Sequence, residues 1–249
     1  MSFSFFQVKQ SWTSLKKQPA YIFSFVTTIG LTLGALLAAL SLVYVMLIKP
    51  LPYPEQDRLY KVESLQFDSS NSMNVSAFSY PSLMHFNKNQ QSFTRSALML
   101  YGDEVLTSQD EQPRVSTSYV SNEWFELFDV KMELGRSFEE TEGLKSDNPV
   151  AVISYKTWQT DFLATKDILD QKITLRGITF SIVGVISEEF VEPQISELGR
   201  KTHVFLPWYF NYYDKQNRET WWARGNNLVF LGALSPEISI EQTVQSSSL

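Results

Sequence analysis

An uncharged run near the start of the chain constrains the fold more than any other feature. No Asp, Glu, Lys or Arg occurs in the 31 residues from Gln18 to Ile48, most of which are apolar: YIFSFVTTIGLTLGALLAALSLVYVMLI. About 20 apolar residues are enough to cross the hydrocarbon core of a bilayer as a helix. A buried core helix rarely runs so long, and a cleaved signal peptide has an apolar region of only about 7 to 15 residues. The run therefore predicts a retained transmembrane helix over residues 21–48.

Lysines flank this predicted helix unequally. Lys9, Lys16 and Lys17 precede it, whereas only Lys49 follows it closely. Because positive residues are enriched on the cytoplasmic side of membrane helices, we expect a cytoplasmic N-terminus and an extracytoplasmic location for the residues after the helix. Residues 1–20 mix aromatic side chains with lysines, which predicts a short amphipathic segment at the inner membrane interface.

The remainder of the chain is acidic and can build a core. The first 50 residues hold four lysines and no acid, so they carry +4, and the other residues carry −10 of the net charge of −6. An acidic surface argues against a nucleic-acid partner, because phosphate binding needs a basic face. The absence of cysteine excludes disulfides and Cys-ligated metal centres. A hydrophobic content of 43% is sufficient for a packed core.

Small residues recur along the predicted membrane helix. Gly30, Gly34 and Ala38 are spaced by four and therefore share one face. Such a face lets another helix approach closely, since packing drives helix association in lipid. We interpret the three positions as a helix-packing face, although Gly and Ala are also common in membrane helices that do not use them for packing.

Three prolines follow the membrane helix at alternate positions. Pro50, Pro52 and Pro54 precede a predicted strand, LYKVESLQF. Proline ends a helix and holds its neighbours extended, whereas a flexible tether would contain Gly and Ser. Residues 49–57 are therefore predicted to form a stiff joint between the membrane helix and an outer domain over residues 58–249.

The outer domain has the sequence pattern of an α+β fold. Its clearest part, residues 149–186, predicts a short buried strand, a helix capped by Ser154, and a hairpin with Arg176 and Gly177 at its tip. Further elements are predicted nearby: a helix beginning near Pro81, two strands turning at Tyr101-Gly102-Asp103, a short helix capped by Ser121, strands HVFLPW and LVFLGALS, and a last helix beginning at Ser239 and cut short by the end of the chain.

No pattern in the sequence indicates catalysis, a metal or a cofactor. His85 is predicted to lie on a helix surface and His203 beside a strand, so they do not suggest a catalytic pair. Glu139, Glu140 and Glu142 lack the ligand rhythm of a calcium loop, which favours a solvated acidic loop. The remaining aromatic cluster is Trp221-Trp222 with Arg224, which could stack on a partner, cap the core or meet the bilayer surface.

The order of these features resembles the MacB-type (FtsX-like) ABC transporter permease family over almost the whole chain. The resemblance rests on four stretches in succession: IKPLPYPEQDRLYKV, SYPSLMHF, VSTSYVSNEWFELFDVKMELGRSF, and NPVAVISYKTWQTDFLATKDILDQKITLRGITFSIVGVISEEF. It implies a periplasmic core domain with porter-like βαβ elements and a mostly β subdomain. It also implies the bacterial cytoplasmic membrane as location.

The resemblance further implies partners that this sequence does not contain. Permeases of this kind have three more membrane helices and a cytoplasmic ATP-binding subunit, and work as dimers, in some cases with a periplasmic adaptor. The chain has no second apolar span and no GxxxxGK[ST] loop. We therefore expect the N-terminal part of a non-enzymatic permease. The alternatives are a self-contained single-pass sensor or adaptor and, as a formal rival, an anchored hydrolase.

Overall fold

The chain divides into two compact units, Met1–Leu51 and Pro52–Leu249, and the second is called the body below. The computed structural model describes residues 19–45, 53–67, 73–108, 111–144, 147–195, 197–222, 225 and 227–238. Four sequence predictions lie wholly or mostly outside these residues: the amphipathic segment over residues 1–20, Pro50, Pro52, and the helix from Ser239.

The first unit contains helix α1 (Pro19–Val43), which has no buried residue. Its 25 residues span about 37 Å at 1.5 Å per residue, more than the roughly 30 Å of a bilayer core. Among the described residues it is the only helix long and apolar enough to cross a membrane. The hydroxyls of Thr28 and Thr32 donate to backbone carbonyls of the preceding turn, so these polar groups are satisfied inside the helix.

Eleven strands and four helices of the body are described. The strands are β1 (Leu59–Val62), β2 (Ser64–Phe67), β3 (Met73–Ser76), β4 (Phe93–Val105), β5 (Arg114–Val120), β6 (Met132–Gly135), β7 (Val150–Ile153), β8 (Lys172–Leu175), β9 (Ile178–Ile186), β10 (Val204–Pro207) and β11 (Leu228–Leu234). The helices are α2 (Tyr80–Asn89), α3 (Glu123–Leu127), α4 (Tyr155–Asp161) and α5 (Lys215–Glu219).

Nine of the strands form one mixed sheet in the order β1-β11-β4-β5-β10-β7-β9-β6, with β8 also paired to β9, while β2 and β3 pair separately. The pairs β5–β10 and β7–β9 are parallel. Because α4 lies between β7 and β9 in the chain, these three elements form a βαβ unit. The sheet curls until Leu106, just after β4, bridges to Leu175 on β8. The predicted α+β class with βαβ elements is confirmed.

The central strands are buried on both faces, which gives the body two hydrophobic clusters. Along β4, Leu98 and Leu100 belong to one cluster, and Met99 and Tyr101 to the other. Successive side chains of a strand point to opposite faces, so a strand covered on both sides is apolar throughout. α2 and the β8–β9 hairpin cover the first cluster, and α3 covers the second.

The predicted turn at Tyr101-Gly102-Asp103 is wrong. β4 continues through these residues to Val105 and pairs with β5 along this length. Gly102 lies opposite Thr117, and a Cβ atom at position 102 would come within 3.0 Å of the Thr117 hydroxyl oxygen. The glycine therefore permits close packing between neighbouring strands. Close approach of another group is a common reason for a glycine inside a strand.

The local predictions over residues 149–186 are confirmed. The Ser154 hydroxyl accepts a hydrogen bond from the Thr157 amide at the start of α4, and β8 and β9 form the hairpin with its turn at Arg176-Gly177. Ser121, in contrast, does not cap α3. Its hydroxyl accepts a hydrogen bond from the Leu98 amide of β4, so it joins two strands.

The acidic segment that was expected to be solvated holds a buried charge. Glu142 is only 3% exposed, and its carboxylate accepts two hydrogen bonds from the Arg136 guanidinium, at 2.7 and 3.0 Å. The Glu139 amide and the Asn148 side chain donate to the same carboxylate. Burial alone would raise the pKa of Glu142, but the hydrogen bonds from Arg136 and the Glu139 amide lower it.

Glu142 is expected to make the stability of the body depend on pH. Its lowered pKa in the folded state stabilises the fold at pH values above the unfolded pKa of about 4.3, and this contribution disappears as the pH falls through the folded pKa. Glu142→Gln should lower the free energy of unfolding at pH 7 by about 2 kcal/mol, a value kept modest because Arg136 is partly exposed. Urea unfolding of the full chain in detergent between pH 3 and 7 measures this, with the exposed Glu140→Gln as control. Equal losses in both variants at pH 7 would contradict the assignment.

Candidate functional site

Two residues of the predicted joint contact other parts of the body. The first is Tyr53, whose hydroxyl donates a 2.7 Å hydrogen bond to the carbonyl oxygen of Val191. Its ring packs edge-on against Phe128, with 5.2 Å between ring centroids. A residue 138 positions away in the chain therefore holds the start of the body in place.

The second residue is Glu55. Its carboxylate lies 2.6 Å from the Arg95 guanidinium on β4. Glu55 has a φ of 50°, in the left-handed region, and its carbonyl accepts a hydrogen bond from the Arg58 amide in the short 3₁₀ turn that leads to β1. Both side chains of the ion pair are partly exposed, so it contributes little to stability, but it fixes the direction of the backbone.

Pro54 lies between these two anchors. Its ring fixes its own φ near −65° and disfavours helical conformations of Tyr53. Three successive residues are therefore restrained, two by contacts with the body and one covalently. Of the three prolines in the predicted joint, Pro54 is described, and the stiffness of the joint as a whole stays a prediction.

The segment that receives Tyr53 is the connection between β9 and β10, residues 187–203, which we call the strap. Phe190 of the strap packs against Trp124 of α3, with 5.8 Å between ring centroids. Both oxygens of the Glu192 carboxylate accept hydrogen bonds from Thr202, at its amide and its hydroxyl. Phe190 therefore attaches the strap to α3, and the Glu192–Thr202 hydrogen bonds join its two ends.

Electrostatics keep the Tyr53 anchor in its donating form. Burial and the nearby Glu192 carboxylate raise the pKa of Tyr53 to about 12, so its hydroxyl is protonated at physiological pH. Burial also raises the pKa of Glu192, against the effect of the two Thr202 hydrogen bonds.

The predicted helix-packing residues lie on α1, whose described residues are largely exposed. Gly30, Gly34 and Ala38 share one side of this helix, and no atom lies within 4 Å of where a Cβ atom would stand at either glycine. This surface is open to another helix, and its use for packing stays a prediction.

The two histidines and the Trp221-Trp222 pair do not form one site. His85 is exposed on α2, while the ring of His203 accepts a hydrogen bond from the Ser116 amide beside the sheet, as their sequence positions predicted. Burial lowers the pKa of His203. Trp221 meets the ring of His85 edge-on, and Trp222 is 85% exposed, so it does not cap the core. No group of three metal-ligating side chains occurs among the described residues.

The sequence patterns had indicated only the prolines at this site. Tyr53, Glu55 and Arg95 lie in ordinary strand and turn contexts, and the strap has the composition of a loop. The single local signal was the tyrosine between two prolines in LPYP, which a stiff joint alone does not require.

Comparisons with known proteins agree on the fold. The MacB-like periplasmic core domain family matches residues 24–246. No curated protein sequence matches the chain significantly. A domain of a provisionally assigned permease protein from Porphyromonas gingivalis has a TM-score of 0.56 at 15% identity, over 78% of this chain and 82% of that chain.

Two further solved structures are similar. The periplasmic region of MacB from Actinobacillus actinomycetemcomitans has a TM-score of 0.52 at 12% identity, over 76% of this chain and 79% of that chain. The extracellular domain of the noncanonic ABC-type transporter YknZ from Gram-positive bacteria has a TM-score of 0.49 at 13% identity, over 76% and 86%. At such identities, the first two structures establish a shared fold.

Proposed function

Since the chain belongs to the MacB-like periplasmic core domain family, we propose that it is a non-enzymatic permease component of an ABC-type export or mechanotransmission system. In this proposal α1 crosses the bacterial cytoplasmic membrane with its N-terminus in the cytoplasm, and the body lies on the periplasmic side. Motion driven by a cytoplasmic ATP-binding subunit reaches the body through α1 and the joint.

The observation that carries this proposal is the double anchorage of Tyr53 and Glu55 to the body. A tether that only kept the body near the membrane would need no fixed contacts after the prolines. The contacts of Tyr53 and Glu55, on either side of Pro54, instead fix the backbone direction of the joint relative to the body. A displacement of the joint is then passed to the strap through Tyr53 and to β4 through Glu55.

The proposal assigns a role to each segment. Residues 1–20 form a cytoplasmic interfacial segment, 21–48 the membrane helix, 49–57 the joint, and 58–249 the outer domain. The face of Gly30, Gly34 and Ala38 packs against the remaining permease helices. The other partners are a second permease copy, the ATP-binding subunit and, in some assemblies, a periplasmic adaptor, all of which follow from the family rather than from contacts in this chain.

A flexible insertion should uncouple the assembly. Four Gly-Ser residues inserted between Leu51 and Pro52 separate the membrane helix from both anchors without altering either. Transport by the complete permease with its ATP-binding subunit should fall by about tenfold or more, while ATP hydrolysis continues, because motion would be absorbed before it reached the body. Transport assays and ATPase assays on the same reconstituted membranes measure the two quantities.

The matched control is the same insertion between Arg176 and Gly177, at the hairpin turn, where a glycine Cβ would meet nothing within 4 Å. It should leave transport within about twofold of the unmodified permease. Tyr53→Phe combined with Glu55→Gln removes the Tyr53 hydrogen bond and the charge of Glu55 at constant length and should give an intermediate loss. If the insertion after Leu51 leaves transport unchanged, the joint does not couple the two units.

A further inference from the structure

A large cleft lies beside the strap. The cleft lies between the strap and the beginning of α4, has a volume of about 1030 Å³, and is open to solvent on one side. This size is at the upper end of the range for sites that enclose drug-sized ligands. A cleft of this size can hold a molecule rather than a single ion.

Apolar side chains stand exposed in the lining of this cleft. Val191 is 58% exposed and Leu198 is 92% exposed, and both belong to the strap. Phe190 adds aromatic surface to the same lining. Exposed aliphatic groups beside a concave surface gain free energy when an apolar molecule covers them.

The arginine in the cleft is already neutralised. The Arg200 guanidinium lies 2.9 Å from the Glu197 carboxylate and 3.0 Å from that of Asp103, and it also donates to the Gly102 carbonyl. It stacks on the ring of Tyr101 at 4.9 Å. Two carboxylates on one guanidinium leave no positive charge for an anionic ligand at this point.

The other charged side chains of the lining differ in their exposure. Lys156, Lys201 and Glu188 line the cleft as exposed side chains, where water screens them. Glu192, in contrast, is half-buried. Its carboxylate accepts two hydrogen bonds from Thr202, but among the described residues no cationic nitrogen lies within 4.0 Å of it.

A half-buried carboxylate with no cation in direct contact is only partly compensated, and the pKa shifts around it are consistent with this. Burial raises the pKa of Glu192, and the Glu192 carboxylate adds to the burial that raises the pKa of Tyr53 and Tyr101. Each Glu192 oxygen uses one hydrogen bond from Thr202 and keeps a second lone pair available. A positively charged donor in the cleft would compensate this charge.

We propose that the cleft binds small amphiphilic amines, with the Glu192 carboxylate as counter-ion of the ammonium group and with Val191 and Leu198 covering the apolar part. The ammonium N–H groups donate to the free lone pairs of Glu192, and the apolar part lies towards the exposed aliphatic side chains of the strap. This binding site does not depend on the proposed transport role, since it rests on the body alone.

Calorimetric titration with phenethylamine tests the site. The full chain in lipid nanodiscs is titrated with phenethylamine and with its neutral N-acetyl derivative, and heats from empty nanodiscs are subtracted. The amine should bind saturably, and the neutral derivative should bind about tenfold more weakly or not at all, because it carries no charge for Glu192. Equal affinity for the two compounds, or no saturable binding of the amine, would overturn the proposal.

Variants locate the binding in the cleft. Glu192→Gln keeps one acceptor oxygen for Thr202 but removes the charge, and should weaken amine binding by about tenfold, whereas Glu188→Gln among the exposed lining residues should change it by less than about threefold. Leu198→Lys places a cation on an exposed position of the lining and should weaken binding by about threefold without affecting folding. Its control is Leu163→Lys, at another highly exposed leucine. Unchanged binding in both Glu192→Gln and Leu198→Lys would show that the amine binds elsewhere.

Discussion

Replacing Trp124 by alanine is expected to lower the free energy of unfolding of the body by about 4 kcal/mol. Trp124 is completely buried, and four aromatic rings surround it at centroid distances between 5.1 and 5.8 Å: Phe125, Phe128, Phe190 and Phe205. Alanine would leave a cavity that these large rings cannot fill without leaving their own positions. Urea unfolding of the full chain in detergent, followed by near-ultraviolet circular dichroism, measures the loss.

Trp124→Phe is the matched control. The indole N–H of Trp124 is buried and has no hydrogen-bond partner among the described residues, so its removal returns part of a desolvation penalty. Phenylalanine retains most of the ring contacts, and we expect a loss of about 1 kcal/mol. Because Phe190 belongs to the strap, the alanine variant should also weaken the hold of the strap on Tyr53. Similar losses in the two variants would mean that the ring cluster does not organise this face.

Replacing Gly184 by alanine is expected to cost about 3 kcal/mol, the upper end of the range for overpacking. Gly184 lies on β9 opposite Gly135 of β6, and a Cβ atom at position 184 would stand 2.1 Å from the carbonyl oxygen of Arg136. The obstacle is backbone, so a side-chain rotation cannot relieve it, and β6 would have to move away. The pairing of β7 with β9 is also irregular at this point, which shows that the strand already bends here.

Gly177→Ala separates this steric effect from the general cost of losing a glycine. Gly177 has a φ of 75°, which an alanine adopts at a cost of about 1 kcal/mol, but a Cβ atom there would meet nothing within 4 Å. Denaturation midpoints of the two variants should therefore differ clearly. A loss at Gly184 no larger than the loss at Gly177 would contradict the close approach of β6 and β9.

Local patterns predicted the parts of the fold that depend on near neighbours. The uncharged run predicted α1, Ser154 predicted the start of α4, and the alternation on either side of Arg176-Gly177 predicted the β8–β9 hairpin. In each case, the residues that decide the structure are close together in the sequence, so composition and spacing are sufficient. The family resemblance then implied the porter-like βαβ elements and the mostly β subdomain, which local patterns do not contain.

Side-chain and strand contacts that form only in the folded chain produced the differences from prediction. Serine is a common helix cap, yet the Ser121 hydroxyl accepts a hydrogen bond from the Leu98 amide of the neighbouring strand. Glycine is common in turns, but Gly102 lies within a strand, where it packs closely opposite Thr117. Glu142 belongs to an acidic run, and only the folded position of the Arg136 side chain makes its burial tolerable.

The candidate site was partly predictable for the same reason. Proline acts on its own backbone, so the sequence predicts a stiff joint, which stays a prediction. Tyr53 acts through a carbonyl 138 positions away and Glu55 through an arginine 40 positions away, and no spacing in the sequence announces either contact. The cleft is likewise formed by the strap and by α4, two segments that each have an ordinary composition.

The position of the anchors also decides how the body would respond to a mechanical load on the joint. β1 is a four-residue strand at the edge of the sheet, and it pairs antiparallel with β11 from Leu59 opposite Ala233. A pull applied directly at Leu59 would break the hydrogen bonds of this edge pair one after another, which is the weakest way to load a strand. Tyr53 and Glu55 precede β1, so tension passes instead to the strap and to β4 in the interior of the sheet. A load on the joint would thus act on the body as a whole and not directly on the edge strand β1.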